Sequence, residues 1–170
     1  MRKVLVNGAG AARRNKSELL GEMLLDKFMA TFNTHDYAAL VQLYDEDAAL
    51  AEPGREVIRG RNAIRKHWAE KFQAFPDIQV NYTHLLACDS VAMAEGRIQA
   101  THTGVYATPT GQRLPGTGRT LDIPFMTCIT TRGGGIVSQQ VYFDRAEVMR
   151  QLLPTVGGGG VCTPNGRIGW

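Results

Sequence analysis

A chain of 170 residues is long enough to form one domain with both a hydrophobic core and an internal pocket. Its 19 basic and 16 acidic residues leave a net charge of +3, and the basic side chains are scattered rather than gathered on one face, so nucleic acid is not expected as a partner. No apolar run approaches the ~20 residues needed to span a bilayer, and Val4-Leu5-Val6 is too short for a signal-peptide core, which predicts a soluble cytoplasmic protein without membrane contact.

Residues 1–16 mix Gly, Ala, Arg and Lys without a sustained period and read as a flexible arm, so the fold is expected to start near Ser17. Within the arm, Val4 to Gly10 has a superficial likeness to a dinucleotide-binding turn, but Arg13 stands where the third Gly would fall and no repeating βαβ pattern follows. Leu20, Leu24, Phe28 and Phe32 then recur at helical spacing. Tyr37, Leu40, Val41 and Tyr44 predict a second helix with Asp36 as its N-cap. Ala48 to Glu52 reads as a short strand ended by Pro53-Gly54. A third helix from about Asn62 carries Ile64, Trp68, Phe72 and Phe75 and stops at Pro76.

From Ile78 onward the residues favour strands: 78–87, a turn at Cys88-Asp89-Ser90, 91–104, 119–131, a turn at Gly133-Gly134-Gly135, and 136–143. A final helix over 145–153 is stopped by Pro154, leaving a Gly-rich tail over 155–170. The domain of residues 17–154 is thus α+β: a curved antiparallel sheet wrapped as a cone around three N-terminal helices, with an apolar pocket inside. Cys88, Cys128 and Cys162 are odd in number and lack metal-ligand spacing, so neither a disulfide framework nor a zinc site is expected.

Four stretches carry a resemblance to the SnoaL-like polyketide cyclases of the nuclear-transport-factor-2-like superfamily. They are Phe32-Asn33-Thr34-His35-Asp36 with Leu43-Tyr44; Gly60 to Ile64 leading to Phe75-Pro76-Asp77; Thr101-His102-Thr103-Gly104 with Pro109-Thr110-Gly111; and Phe143-Asp144 before Gln151-Leu152. The resemblance implies a cone fold, homodimers, no metal or organic cofactor, and an intramolecular aldol ring closure. Two departures stand out. Ser138-Gln139-Gln140 replaces the Glu-His-Trp series of many relatives, and the segment 112–119 is longer than usual.

Three residues are candidates for catalysis. Asp144 matches the acid/base aspartate of the cyclases, although an Asp just before a helix also serves as a cap. Glu52 stands where the related ketosteroid isomerases place a carboxylate base. Burial in an apolar cavity would raise its pKa, and the alternative is a solvated carboxylate at a turn. His102 sits in a strand expected to line the cone, where a neutral imidazole could donate to an enolate or shuttle a proton, unless it is simply packed.

The isomerase oxyanion donors would fall at Phe28 and Phe125, which cannot donate, so steroid isomerisation is not expected. Phe28, Trp68, Phe72, Tyr82, Phe125 and Tyr142 are the expected substrate-binding wall, and Tyr82 or Tyr142 could also donate to a substrate carbonyl. His35, His67 and His84 are weaker candidates, and the single His67-x-x-Glu70 pair lacks partners for a metal.

The expected function is acid/base ring closure, or a related isomerisation or dehydration, of a small hydrophobic polyketide or terpenoid-like substrate. The alternatives are an epoxide-opening hydrolase or cyclase and a non-catalytic binding or dimerisation module. An enzyme should bring at least two of Glu52, His102 and Asp144 to one pocket.

Overall fold

A computed structural model describes residues 15–153 and the backbone of Val4–Leu5. The first helix, α1 (Lys16–Asn33), begins with a reciprocal capping box: the Asn15 side chain accepts from the Glu18 amide, and the Glu18 carboxylate accepts from the Asn15 amide. Its buried face is Gly21, Leu24, Leu25, Phe28 and Phe32. Asp36 caps α2 (Tyr37–Val41) through the Ala39 amide, as expected. That helix is short, however, and Tyr44 opens the strand β2 (Tyr44–Ala51) instead of extending it. The chain turns at Leu43, whose carbonyl accepts from the Ile136 amide, and this bond commits the following residues to a sheet.

The remaining elements are β3 (Ile58–Arg59), α3 (Arg61–Ala74), β4 (Gln79–Cys88), β5 (Val91–Thr101), the hairpin β6 (Tyr106–Ala107) and β7 (Arg113–Leu114), β8 (Thr120–Arg132), β9 (Gly135–Tyr142) and α4 (Arg145–Leu152). Within the segment read as an arm, β1 (Val4–Leu5) lies parallel against β4. The main sheet runs β1-β4-β5-β8-β9-β2-β3. From β4 to β9 it is the antiparallel meander that the sequence implies. The pairing of β2 with β9 is parallel, and one helix, α3, and six strands, β3 to β8, intervene between them in the chain.

Alternation along the long strands separates the faces. On β8, Leu121, Ile123, Phe125, Thr127 and Ile129 point inward and Asp122, Pro124 and Met126 outward. Register shifts between Tyr82 and His84, between Thr130 and Thr131, and between Tyr44 and Ala49 bend the sheet. The curved sheet therefore closes over α1 and α3 as a cone with one open side. The segment 112–119 begins with β7 of the β6–β7 hairpin, and α4 packs on β8, where Gln151 bonds both the Asp122 amide (2.8 Å) and carbonyl (3.0 Å). No described helix is long and apolar enough to cross a membrane. Cys88 and Cys128 are free thiols, and Cys162 and the Gly-rich tail lie outside the described residues.

Candidate functional site

The cone encloses about 660 Å³ of empty space, its mouth included. The wall is mostly apolar. Phe28 and Phe32 of α1 meet Trp68 of α3 edge-on at centroid distances of 5.9 and 5.5 Å, and Phe125 and Val141 face them from the sheet. One buried polar chain closes the inner end: the Trp68 indole donates to the Tyr44 hydroxyl (3.2 Å), Tyr44 donates to Gln139 Oε1, and Gln139 Nε2 donates to Thr127 (3.0 Å). Burial pushes the Tyr44 phenol well above its usual range, so it remains a donor.

The ionisable groups of the site come from the end of β2 and one face of α3. Glu52 has a side chain only 4% exposed; its carboxylate lies 3.2 Å from His67 Nε2, 3.2 Å from Lys71 Nζ and 3.9 Å from Arg55 Nε. Glu52 and Lys71 line the cavity. Burial alone would raise the Glu52 carboxyl, as the sequence suggested. The Lys71 charge, followed by the His67 hydrogen bond and charge, outweighs it and holds Glu52 well below the usual carboxylate range. Glu52 is therefore an anion in the resting protein, and the expectation of a raised pKa is corrected. Lys71 also sits over the Tyr106 and Phe143 rings at 5.5 and 5.8 Å. Arg55 ties the cluster to the hairpin by donating to the Ala107 carbonyl.

The other two catalytic candidates lie elsewhere. Asp144 is exposed and caps α4, accepting from the Ala146 (2.8 Å) and Glu147 (3.3 Å) amides; its oxygens serve the helix and do not line the cavity. His102 follows β5 rather than lying within it and is fully buried behind the wall, against Phe75 (5.2 Å) and Tyr106 (6.2 Å), with Thr117 on Nδ1 (3.1 Å). Burial lowers its pKa, partly offset by the Gly104 and Leu114 carbonyls, which keeps the imidazole neutral and packed. Of the three residues named from sequence, only Glu52 reaches the cavity, and its companion there is Lys71.

The expected binding wall divides in the same way. Phe28, Trp68 and Phe125 line the cavity, whereas Phe72, Tyr82 and Tyr142 do not. Phe72 packs sideways on Phe32 and His35 at 5.0 and 5.2 Å. Tyr142 is exposed because strand alternation turns it outward and its neighbours Val141 and Phe143 inward. The Tyr82 hydroxyl is buried without a hydrogen-bond partner, and its ring rests on Phe125 at 6.0 Å. The remaining histidines serve structure or surface: His35 Nε2 meets the Ile78 carbonyl (2.8 Å) at the turn between helices, and exposed His84 pairs with Glu95 (2.6 Å). Asp77 is bonded by Thr101 and Arg97 by Asp122, so neither reaches the pocket.

A family model described as SnoaL-like polyketide cyclase matches residues 22–152. The chain belongs to that family. No curated protein matches it. The fold of this SnoaL-like chain is shared by a proposed SnoaL-like polyketide cyclase from Jannaschia sp. CCS1, with 14% identity, a TM-score of 0.74, and coverage of 84% of this chain and 97% of that one. It is shared too by a proposed polyketide cyclase from Xanthomonas campestris pv. campestris, at 19% identity and TM-score 0.71, with 81% of this chain and 100% of that one covered. A third neighbour, from Catenulispora acidiphila, has a ketosteroid isomerase-like fold and was solved with trimethylamine; identity is 20%, TM-score 0.65, and coverage 77% and 93%. Identities this low carry the α+β cone and nothing about the reaction.

Proposed function

We propose that this SnoaL-like chain is a cofactor-independent, cytoplasmic, dimeric enzyme that closes a ring, or carries out a related isomerisation or dehydration, on a hydrophobic polyketide or terpenoid-like substrate by acid/base chemistry. The observation that supports this is the Glu52–Lys71 ion pair, 3.2 Å long, set in the wall of an otherwise apolar cavity. Aldol closure breaks a C–H bond beside one carbonyl, forms a C–C bond to a second, and protonates the resulting alkoxide. The Glu52 carboxylate takes the carbon-bound proton and returns it to the alkoxide, so the protein ends as it began. Lys71 stabilises the enolate and then the alkoxide as an ammonium held in a low-dielectric wall. Phe28, Trp68 and Phe125 hold the apolar body, and Asp144 takes no part in the proton transfers.

A carboxylate base suits a carbon acid activated by two flanking carbonyls, as in a poly-β-ketone, better than a simple ketone, because the doubly activated proton is the more acidic one. The test uses 2-acetyl-1-tetralone, an aromatic 1,3-dicarbonyl, with deuterium exchange followed by NMR at an acidic pD where the uncatalysed reaction is slow. Wild-type protein should accelerate exchange and Glu52→Gln should lose at least ~10²-fold of that acceleration. A probe that binds but exchanges no faster than in buffer refutes the proposal.

A further inference from the structure

Beyond the apolar chamber lies a second recess of about 500 Å³, its open side included, formed by the β6–β7 hairpin and the start of α4. Tyr106, Phe143 and Val148 line both spaces and form the divide between them. The recess has a different chemistry. Its polar residues are Thr108, Thr110, Gln112 and Arg145, and Arg145 is the charged one. Thr108 is buried to 5% exposure, and its hydroxyl meets that of Thr110 at 3.0 Å. One of these hydroxyls donates to the other, which leaves one proton to offer a ligand.

Among the described residues, the Arg145 guanidinium has no carboxylate partner. Asp144 is committed to the amides of Ala146 and Glu147, and Glu147 to Arg150 and Gln151. Lys71, by contrast, is matched by Glu52. The turn that ends β2 also shapes the recess. Gly54 has φ +73°, and a Cβ built on it would stand 1.8 Å from Arg145 Nη1, so the guanidinium lies against this turn only because the residue after Glu52-Pro53 is glycine. One turn thus places both the buried carboxylate of the chamber and the unpaired cation of its vestibule.

We propose that the recess is a carboxylate subsite: the substrate is an amphipathic acid whose apolar rings fill the chamber while its carboxylate rests on Arg145 and the Thr108–Thr110 hydroxyls. This rests on the reading of the chamber as the substrate site. An apolar chamber supplies affinity but little orientation. A planar guanidinium binding a carboxylate fixes which end of the molecule meets Glu52 and Lys71. The Lys71 ammonium is already matched by Glu52, whereas Arg145 has no carboxylate partner among the described residues, so the charged end belongs in the vestibule.

The test measures binding of 2-anthracenecarboxylate and its methyl ester by titration calorimetry at low salt. Wild-type protein should bind the acid about tenfold more tightly than the ester, and the preference should shrink as salt is raised. Arg145→Gln should abolish the preference while leaving the ester within about twofold. Arg145→Lys should retain part of it, and Gly54→Ala, which displaces the guanidinium without removing its charge, should reduce it. An acid-to-ester ratio that is near one in wild type, or that survives both Arg145→Gln and Gly54→Ala, overturns the subsite alone, since the ester still reports on the chamber. Failure of the ester itself to bind overturns the chamber reading and the subsite with it.

Discussion

Replacing Lys71 with Met removes the charge opposite Glu52 while keeping a flexible apolar chain over Tyr106 and Phe143. At an effective dielectric of ~20, the attraction across the 3.2 Å separation is roughly 5 kcal/mol. Little of it survives as net stability in the intact pair, because both groups were desolvated on folding. Breaking the pair from one side is different: Glu52, 4% exposed, keeps its burial cost with His67 at 3.2 Å and Arg55 at 3.9 Å as its remaining partners. Such losses are typically 3–5 kcal/mol; with His67 retaining a share, about 3 kcal/mol is expected at pH 8, or roughly 6–12 °C in Tm.

The pH dependence also changes sign. In the wild type the folded Glu52 pKa is depressed, so its contribution is complete at neutral pH and is lost only as pH falls through and below the ordinary carboxylate range. Without Lys71, burial dominates and raises the folded pKa, so the variant should recover stability relative to wild type as pH falls from 8 toward 5. Chemical denaturation of Lys71→Met, Glu52→Gln and the double variant forms a cycle in which the double variant should be more stable than Lys71→Met alone. A Lys71→Met loss below about 1 kcal/mol with no coupling in the cycle would refute the pairing on which the proposed chemistry depends.

Three further outcomes follow from other parts of the molecule. The folded His102 pKa lies below its unfolded value, so the unfolded chain binds more protons as pH drops below about 6.5; Tm should fall over that limb, and a His102→Gln variant with the same slope would contradict the assignment. Asp144→Ala removes a cap that serves two amides and should cost about 1 kcal/mol by denaturant melts with turnover within about twofold, whereas a ~10²-fold fall in kcat would return the acid/base role to Asp144. The outer sheet face carries Leu86, Met93, Met126 and Tyr142 at 36–51% exposure; sedimentation should find a dimer at micromolar concentration that Met126→Glu dissociates, and a monomeric wild type would refute this interface.

Much of the fold was legible because its signals are local. Repeats of Leu and Phe at helical spacing, the Asp36 cap, and the turns at Cys88-Asp89-Ser90 and Gly133-Gly134-Gly135 each act within a few residues, and the helices and long strands follow them. What was not legible is long-range. Tyr44 continues the apolar spacing of α2 but is claimed by pairing with Ile136, far along the chain, and no window around Tyr44 contains that strand. Face assignments on the late strands were legible for Phe125 and illegible for Tyr82, where a register shift follows, while Tyr142 faces outward by alternation with Val141 and Phe143.

The site is less legible, for a more instructive reason. Counting α3 in fours selects Ile64, Trp68 and Phe72, but a helix turns every 3.6 residues, so a strict four-residue row drifts around its axis. The face that enters the core uses steps of three and four together: His67 and Trp68 lie three and four after Ile64, Lys71 three after Trp68, and Phe75 four after Lys71, just past the helix end. Phe72 falls one row aside, against α1. Hydrophobic residues alone trace the drifting row, since the correct face includes an imidazole and an ammonium. Those are the groups that a hydrophobic count discards and that a buried carboxylate from another element requires. Glu52 could be picked out by its place before Pro53-Gly54, and Asp144 by its place before α4, yet strand-end position could not separate them. The distinction lies in what satisfies each carboxylate. Backbone amides within three residues suffice for Asp144, leaving it no need of an interior, whereas Glu52 draws its partners His67 and Lys71 from a helix that begins nine residues later in the chain.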